Sequence, residues 1–213
     1  MTHDELFPFD DAPLGLEKDL WRSGFSRVAG VDEVGRGAFA GPVVAAAVVF
    51  PHRIGKLADR IRDSKKLTPE AREELCPLIE ETALAVGIGV VESEEIDRIN
   101  ILEAALKAMK IAIEALDPAP EICLIDGNVH VQVGIPQRLI VKGDDRVISI
   151  GAASIMAKVT RDHLMVELHH LYPAYGFADH KGYGTDLHRR VLKEIGPCPA
   201  HRLSFDLGLP ATP

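Results

Sequence analysis

Asp32 and Glu33 stand side by side after an apolar run, Val28–Val31, and ahead of a glycine-punctuated turn that carries one arginine, Arg36. Two carboxylates at the end of a buried strand are costly unless a cation, a hydrogen-bond network or solvent compensates them. Gly35, Gly37 and Gly41 let the backbone there approach a ligand closely. Other acids also follow apolar runs: Asp126 after Ile122–Ile125, and Asp144 or Asp145 after Arg138–Lys142. Where strand ends converge, such carboxylates repel one another and suit a hard divalent ion, Mg²⁺ or Mn²⁺, rather than zinc. Two such ions roughly 3.5–4 Å apart can activate a water and stabilise a leaving alkoxide in phosphodiester cleavage. A single Asp-Gly such as Asp126-Gly127 reads more readily as a turn, but the adjacent pair Asp32-Glu33 needs a further reason.

The cations lie on neighbouring loops: Arg36 beside the acids, Lys65 and Lys66 in DSKKL, Lys142 before GDD and Lys181 before GYG. Each alone is a solvated surface charge; as a set they can grip phosphates around a metal centre. Tyr183, between Gly182 and Gly184, is an aromatic able to stack on a sugar or base, or to pack over the helix that follows. Nine histidines suggest no metal pattern. His169-His170 lacks HExxH spacing, His163 adjoins Asp162, and His180, His188 and His201 gather around the Tyr183 loop in structural roles. No Ser-His-Asp arrangement, phosphate-binding loop or dinucleotide fingerprint is legible; GRGAFAG has neither the Lys-Ser/Thr ending nor the GxGxxG spacing.

Short β-branched runs at Val28–Val31, Val43–Phe50, Leu84–Val91, Ile122–Ile125 and Arg138–Lys142 read as strands, the first two as a hairpin-like pair. Helical spacing is weak over Leu16–Ser23. A helix capped by Thr68, with Pro69 in its first turn, is expected to run to about Glu81. Ser93–Asn100 reads as a short helix, and Ile101–Leu116 as an amphipathic one with Leu102, Ala105, Leu106, Met109, Ile113 and Leu116 on its face. A long helix covers Ser149–Leu171, and residues 176–189 open as a loop and pass into a last helix ending near Ile195. His52–Arg62 reads as a polar connection. The alternation implies an α/β class, or a mixed sheet with flanking helices.

The expected layout is an acidic leader with a short helix over residues 1–27 and one catalytic domain over 28–213, with no internal repeat. The −8 net charge speaks against binding nucleic acid by bulk electrostatics, but not against a local basic groove or acids neutralised by metal. Cys76, Cys123 and Cys198 lie far apart, which disfavours a disulfide framework. No stretch has the character of a signal peptide or membrane span, so a cytoplasmic protein is expected. Without a surplus apolar stripe, a monomer is expected too.

Together the segments AGVDEVGRG, AGPVVAAAV, DSKKL, INIL, LIDGN, VKGD, AASIMAKVTRD, YGFADHKGYGT and HRLSF resemble the type 2 ribonucleases H, specifically the bacterial ribonuclease HII family. The resemblance implies a ribonuclease H-like fold: a central mixed β-sheet flanked by helices, with a helical C-terminal portion. It implies two-metal-ion cleavage of RNA in RNA–DNA hybrids and incision 5′ of single ribonucleotides in duplex DNA, leaving 3′-hydroxyl and 5′-phosphate ends. By that resemblance Asp32, Glu33, Asp126 and Asp144 are the metal-binding carboxylates, and Asp162 is an auxiliary acid or a brace. Gly35-Arg36-Gly37 reads the 2′-hydroxyl, and Tyr183 stacks at the RNA–DNA junction. Ala38 departs from the family's usual proline, Asp145 adds an acid where a small residue is common, and Gly151 replaces an alanine. The same motifs admit two other readings. A catalytically silent hybrid-binding module is disfavoured by four intact carboxylates. A ribonuclease HIII-like nuclease is disfavoured by the short segment before Val28. The tail FDLGLPATP offers no persuasive motif for recruitment by a replication clamp.

Overall fold

The computed structural model describes residues 14–62 and 68–209. In chain order these form α1 (Gly15–Arg22), β1 (Val28–Val34), β2 (Val43–Val49), α2 (Leu57–Arg62), α3 (Pro69–Glu73), α4 (Leu75–Thr82) and β3 (Ala85–Val91). There follow α5 (Ser93–Ile99), α6 (Ile101–Glu114), β4 (Ile122–Asp126), β5 (Gln137–Ile140), α7 (Ile148–Leu171), α8 (Phe177–His180) and α9 (Asp186–Ile195). Five strands make one sheet in the order β3-β2-β1-β4-β5. β1 runs antiparallel to β2, and β2 to β3, whereas β1, β4 and β5 are parallel. The sheet is therefore mixed, with helices on both faces, as the resemblance implied.

β2 is a continuous apolar run because both its faces are buried. Val43, Ala45, Ala47 and Val49 meet α6, while Val44, Ala46 and Val48 meet the layer of α2, α4 and α7. Small residues set how near the helices come. A Cβ on Gly87 or Gly89 of β3 would lie 2.1 or 2.0 Å from a carbonyl oxygen of α6. On the opposite face, a Cβ on Gly30 of β1 would lie 2.1 Å from the Ser149 carbonyl carbon of α7. Gly30→Ala is therefore expected to push α7 off β1 and to cost about 2 kcal/mol, read as a lower urea midpoint at unchanged slope. An unchanged midpoint would mean that α7 has more freedom than this contact allows.

Several expectations need correction. β1 continues to Val34, so Asp32 and Glu33 lie inside the strand rather than after it. The supposed polar connection holds α2, because Leu57, Ala58 and Ile61 bury one face of it. The helix expected from Thr68 to Glu81 divides at Glu74: Pro77 cannot donate to the preceding turn. Its start is as expected, with the Ala71 N–H donating to Thr68 Oγ1 at 3.3 Å. The buried face of α6 is built largely of Ala104, Ala105, Ala108 and Ala112 with Met109 and Ile113, and Leu102 is exposed, because close approach to the β3 glycines leaves no room for leucines. The glycine-rich loop contains the one-turn α8. Among the described residues no helix is long and apolar enough to cross a membrane, and the three cysteines are unpaired.

Helix starts near the acids are firmly tied. Asn100 Oδ1 accepts the Leu102 and Glu103 N–H groups at 3.0 and 3.1 Å, which caps α6. The fully buried Glu17 of α1 accepts both the N–H and the hydroxyl of Ser149 at 2.9 Å, anchoring the first turn of α7.

Candidate active site

Successive side chains of β1 alternate faces. Gly30 faces α7, so Asp32 does too, and the hydroxyl of Ser154 on that helix hydrogen-bonds its carboxyl. Glu33 takes the opposite face and lines a small cleft with Leu102, Ala105, Leu106 and Met109 of α6. The parallel register pairs Val31 with Ile125, and one step further sets Asp32 beside Asp126 at the end of β4. Asp126 Oδ1 accepts the Gly143 N–H at 2.6 Å. That bond ties β4 to the 3₁₀ turn Gly143–Asp145, where Asp144 is half-buried and Asp145 exposed. Gly151 lets α7 lie close behind this turn, since a Cβ there would be 3.1 Å from the Asp144 carbonyl oxygen.

The cluster is electrostatically uncomfortable. Burial, reinforced by Glu33 and Asp126 and opposed by the Ser154 hydroxyl, pushes the Asp32 carboxyl up to about 8. Burial likewise raises Glu33, with Asp126 adding to the rise and Arg36 opposing it. Arg36 Nη1 lies 3.1 Å from Glu33 Oε1, whereas the buried Glu33 Oε2 has no hydrogen-bond partner. Burial therefore disfavours the ionised forms of Asp32 and Glu33, and a hard divalent cation is the species that would compensate their charge and displace the proton. The residues fit such an ion. Among the described residues no three His, Cys, Asp or Glu side chains already converge as a cage; Glu33 is turned towards Arg36. The cleft beside them measures about 50 Å³, room for an ion or a few waters rather than an organic cofactor.

The glycine turn and the tyrosine loop lie against each other. Gly35 has φ 92°, and its carbonyl accepts the Ala38 N–H at 3.3 Å. A proline at position 38 could not make that bond, so the departure at Ala38 adds a hydrogen bond to the turn. The Phe39 N–H donates to the Gly182 carbonyl at 2.8 Å, bringing Tyr183 to the flank of the turn. Tyr183 is 37% exposed, unlike most large apolar or aromatic residues around it.

The other proposed contacts are less uniform. Lys142 is exposed beside the Asp144 turn. The Lys181 ammonium donates to the Ala178 carbonyl and is half-buried. Asp162 accepts from Lys158 Nζ at 2.6 Å along α7, which suits a brace. Lys65 and Lys66, with the DSKKL segment, lie outside the described residues. His188 and His201 are buried with their Nε2 atoms 3.0 Å apart.

Sequence reasoning had passed over Ser154, the Gly143 N–H and the buried arginines Arg161 and Arg202. Ser154 and Arg161 lie in AASIMAKVTRD, and the match of that segment to the family's pattern was the available signal.

The chain matches the family model described as Ribonuclease HII over residues 29–207. It is 53% identical over 202 residues to the ribonuclease HII of Geobacter sulfurreducens, covering 94% of this chain and 92% of the relative. Among solved structures, the ribonuclease HII in a PCNA complex from Archaeoglobus fulgidus superposes with a TM-score of 0.69 at 28% identity, covering 83% of this chain and 92% of that one. A Bst ribonuclease HIII in complex with Mn²⁺ shares the fold at a TM-score of 0.65 and 23% identity, covering 95% of this chain and 73% of that one. The carboxylates at the ends of β1 and β4 thus sit in a mixed sheet with the architecture of these nucleases, and the chain belongs to the ribonuclease HII family and is a ribonuclease H, an enzyme acting on RNA–DNA hybrids.

Proposed function

We propose that this chain, through one catalytic unit spanning residues 28–213, cuts the RNA strand of hybrids and incises duplex DNA 5′ of a single embedded ribonucleotide. The products are a 3′-hydroxyl and a 5′-phosphate. The observation that carries this reading is the gathering of Asp32, Glu33 and Asp126 at one place on the sheet, with the Asp32 and Glu33 carboxyls raised by burial, the buried Glu33 Oε2 without a hydrogen-bond partner, and the Asp144 turn hydrogen-bonded to Asp126. Asp32, Glu33, Asp126 and Asp144 would hold Mg²⁺ or Mn²⁺, the latter being the ion bound to the ribonuclease HIII of the same fold. When bound, the ions supply Lewis acidity to the phosphodiester and the attacking water. The protein groups do the rest. Ser154 and the Gly143 N–H orient Asp32 and Asp126. The Gly35–Gly37 turn meets the ribose 2′-hydroxyl, the group that distinguishes RNA from DNA. Tyr183 offers a stacking face at the junction, and Lys142 supplies phosphate contact.

The test is cleavage-site mapping on duplex DNA holding one ribonucleotide, beside a continuous hybrid. A nick 5′ of the ribonucleotide, dependent on Mg²⁺ or Mn²⁺, is expected; no incision with either ion would sink the reading. On the same substrates Arg36→Ala is expected to reduce the preference for the single ribonucleotide about tenfold, and to weaken metal binding by less. Its contact with Glu33 makes some metal effect unavoidable. Equal loss of both would mean that recognition and metal holding are not divided between Arg36 and the acids.

A further inference from the structure

Arg161 and Arg202 are both fully buried, and their hydrogen-bond acceptors are backbone carbonyls. Charged side chains are rarely buried without acidic partners, so what they hold is informative. Arg161, on α7, donates from Nε to Pro42 O at 2.9 Å, from Nη2 to Ala40 O at 3.2 Å and from Nη1 to Lys181 O at 3.0 Å. Its guanidinium carbon lies 5.4 Å from the Tyr183 ring centroid. Its aliphatic stem and Nε also press on Gly35, where a Cβ would fall 2.2 Å from Nε. One planar fork therefore touches the base of the glycine turn, the strand entrance behind it and the tyrosine loop. Arg202 reaches the same segment from the C-terminal side. It donates to Arg36 O at 3.0 Å, to Gly41 O at 3.0 and 2.9 Å, and to Pro42 O at 3.1 Å.

We propose that Arg161 is a positioning residue that sets the separation between the Gly35–Gly37 turn and Tyr183, with Arg202 bracing the turn, and that this pair thereby sets the preference for a single embedded ribonucleotide over a continuous hybrid. The inference rests on the proposed reading that the turn meets the 2′-hydroxyl and Tyr183 stacks at the junction. A continuous hybrid offers a 2′-hydroxyl at every step, so a small misplacement still finds one. A lone ribonucleotide offers a single sugar that must meet both elements at once, and its cleavage is sensitive to their spacing. Arg suits the task and Lys does not, because a planar five-donor fork can engage three carbonyls in fixed directions while an ammonium cannot.

Arg161→Lys keeps the charge and loses the fork. Steady-state kinetics on both substrates, with melting curves as a folding control, give the test. For the single-ribonucleotide duplex kcat is expected to fall about tenfold or more, while kcat on the continuous hybrid changes less than about threefold. In a Tyr183→Ala background the same substitution is expected to change the substrate ratio by less than about twofold, since the residue acts through that loop. Equal losses on both substrates, or an undiminished effect without Tyr183, would overturn the proposal. Should Arg161→Lys fail to fold, Arg202→Lys takes its place: a selective loss on the single ribonucleotide supports the proposal, and an equal loss refutes it. Failure of the underlying reading is separately visible, because the unsubstituted protein would then show no incision at the single ribonucleotide.

Discussion

Asp126→Asn is expected to lower hybrid cleavage by at least about 10³-fold at saturating Mg²⁺, with little change in hybrid affinity or melting temperature. The asparagine keeps the size of the side chain, and its oxygen still accepts the Gly143 N–H, so the link between β4 and the Asp144 turn survives. What is lost is a negative charge between Asp32, Glu33 and the turn. Initial rates with and without chelator measure this; chelation should abolish cleavage by the parent protein, and added Mg²⁺ or Mn²⁺ should restore it. Asp145→Asn is the matched control: Asp145 is exposed where Asp144 is half-buried, and its rate should stay within about threefold of the parent. More than a tenth of the activity remaining in Asp126→Asn would remove that residue from the cluster.

The second large effect concerns stability. Asp32 has its folded-state value raised from 3.8 to about 8, chiefly by burial. Between those values the folded protein holds a proton that the unfolded chain has lost. The stability this group contributes is thus present below about pH 4 and lost as pH rises towards about 8. Asp32→Asn mimics the protonated carboxyl and escapes the loss. In chelator, the variant should exceed the parent by on the order of 3 kcal/mol at pH 7, the difference shrinking towards pH 4. Added Mg²⁺ or Mn²⁺ should stabilise the parent and leave the variant nearly unmoved, while activity behaves oppositely, being lost in the variant. Unfolding curves across that pH range would measure it; a gap independent of pH would show that Asp32 ionises normally.

The sequence by itself determined more of this protein than its secondary structure. Period and β-branching located all five strands and the long helix α7, four of the strands and the helix to within a residue or two, while β1 runs three residues further than its apolar run; short buried runs leave few alternatives. The adjacency of Asp32 and Glu33 after an apolar run pointed to a candidate site, since burying two carboxylates is costly without compensation. Its motifs placed the chain in its family, which the comparisons bear out. The tertiary structure decided what lies between distant segments. The parallel register of β1 and β4 put Asp32 beside Asp126, and the hydrogen bond from Gly143 drew in the Asp144 turn. Residue pattern alone left Asp144 and Asp145 open; the resemblance chose Asp144, and their burial differs in the same sense, Asp144 half-buried and Asp145 exposed. Of the residues expected on the α6 face, Ala105, Met109, Ile113 and Leu116 are buried but Leu102 is exposed: leucine spacing describes an isolated helix, whereas close approach to the β3 glycines brings Ala104, Ala108 and Ala112 onto the packed face. Arg161 and Arg202 were invisible as functional residues, because an arginine in a sequence reads as a surface charge. Only the fold shows them buried, with their donors spent on the carbonyls that hold the glycine turn and the tyrosine loop.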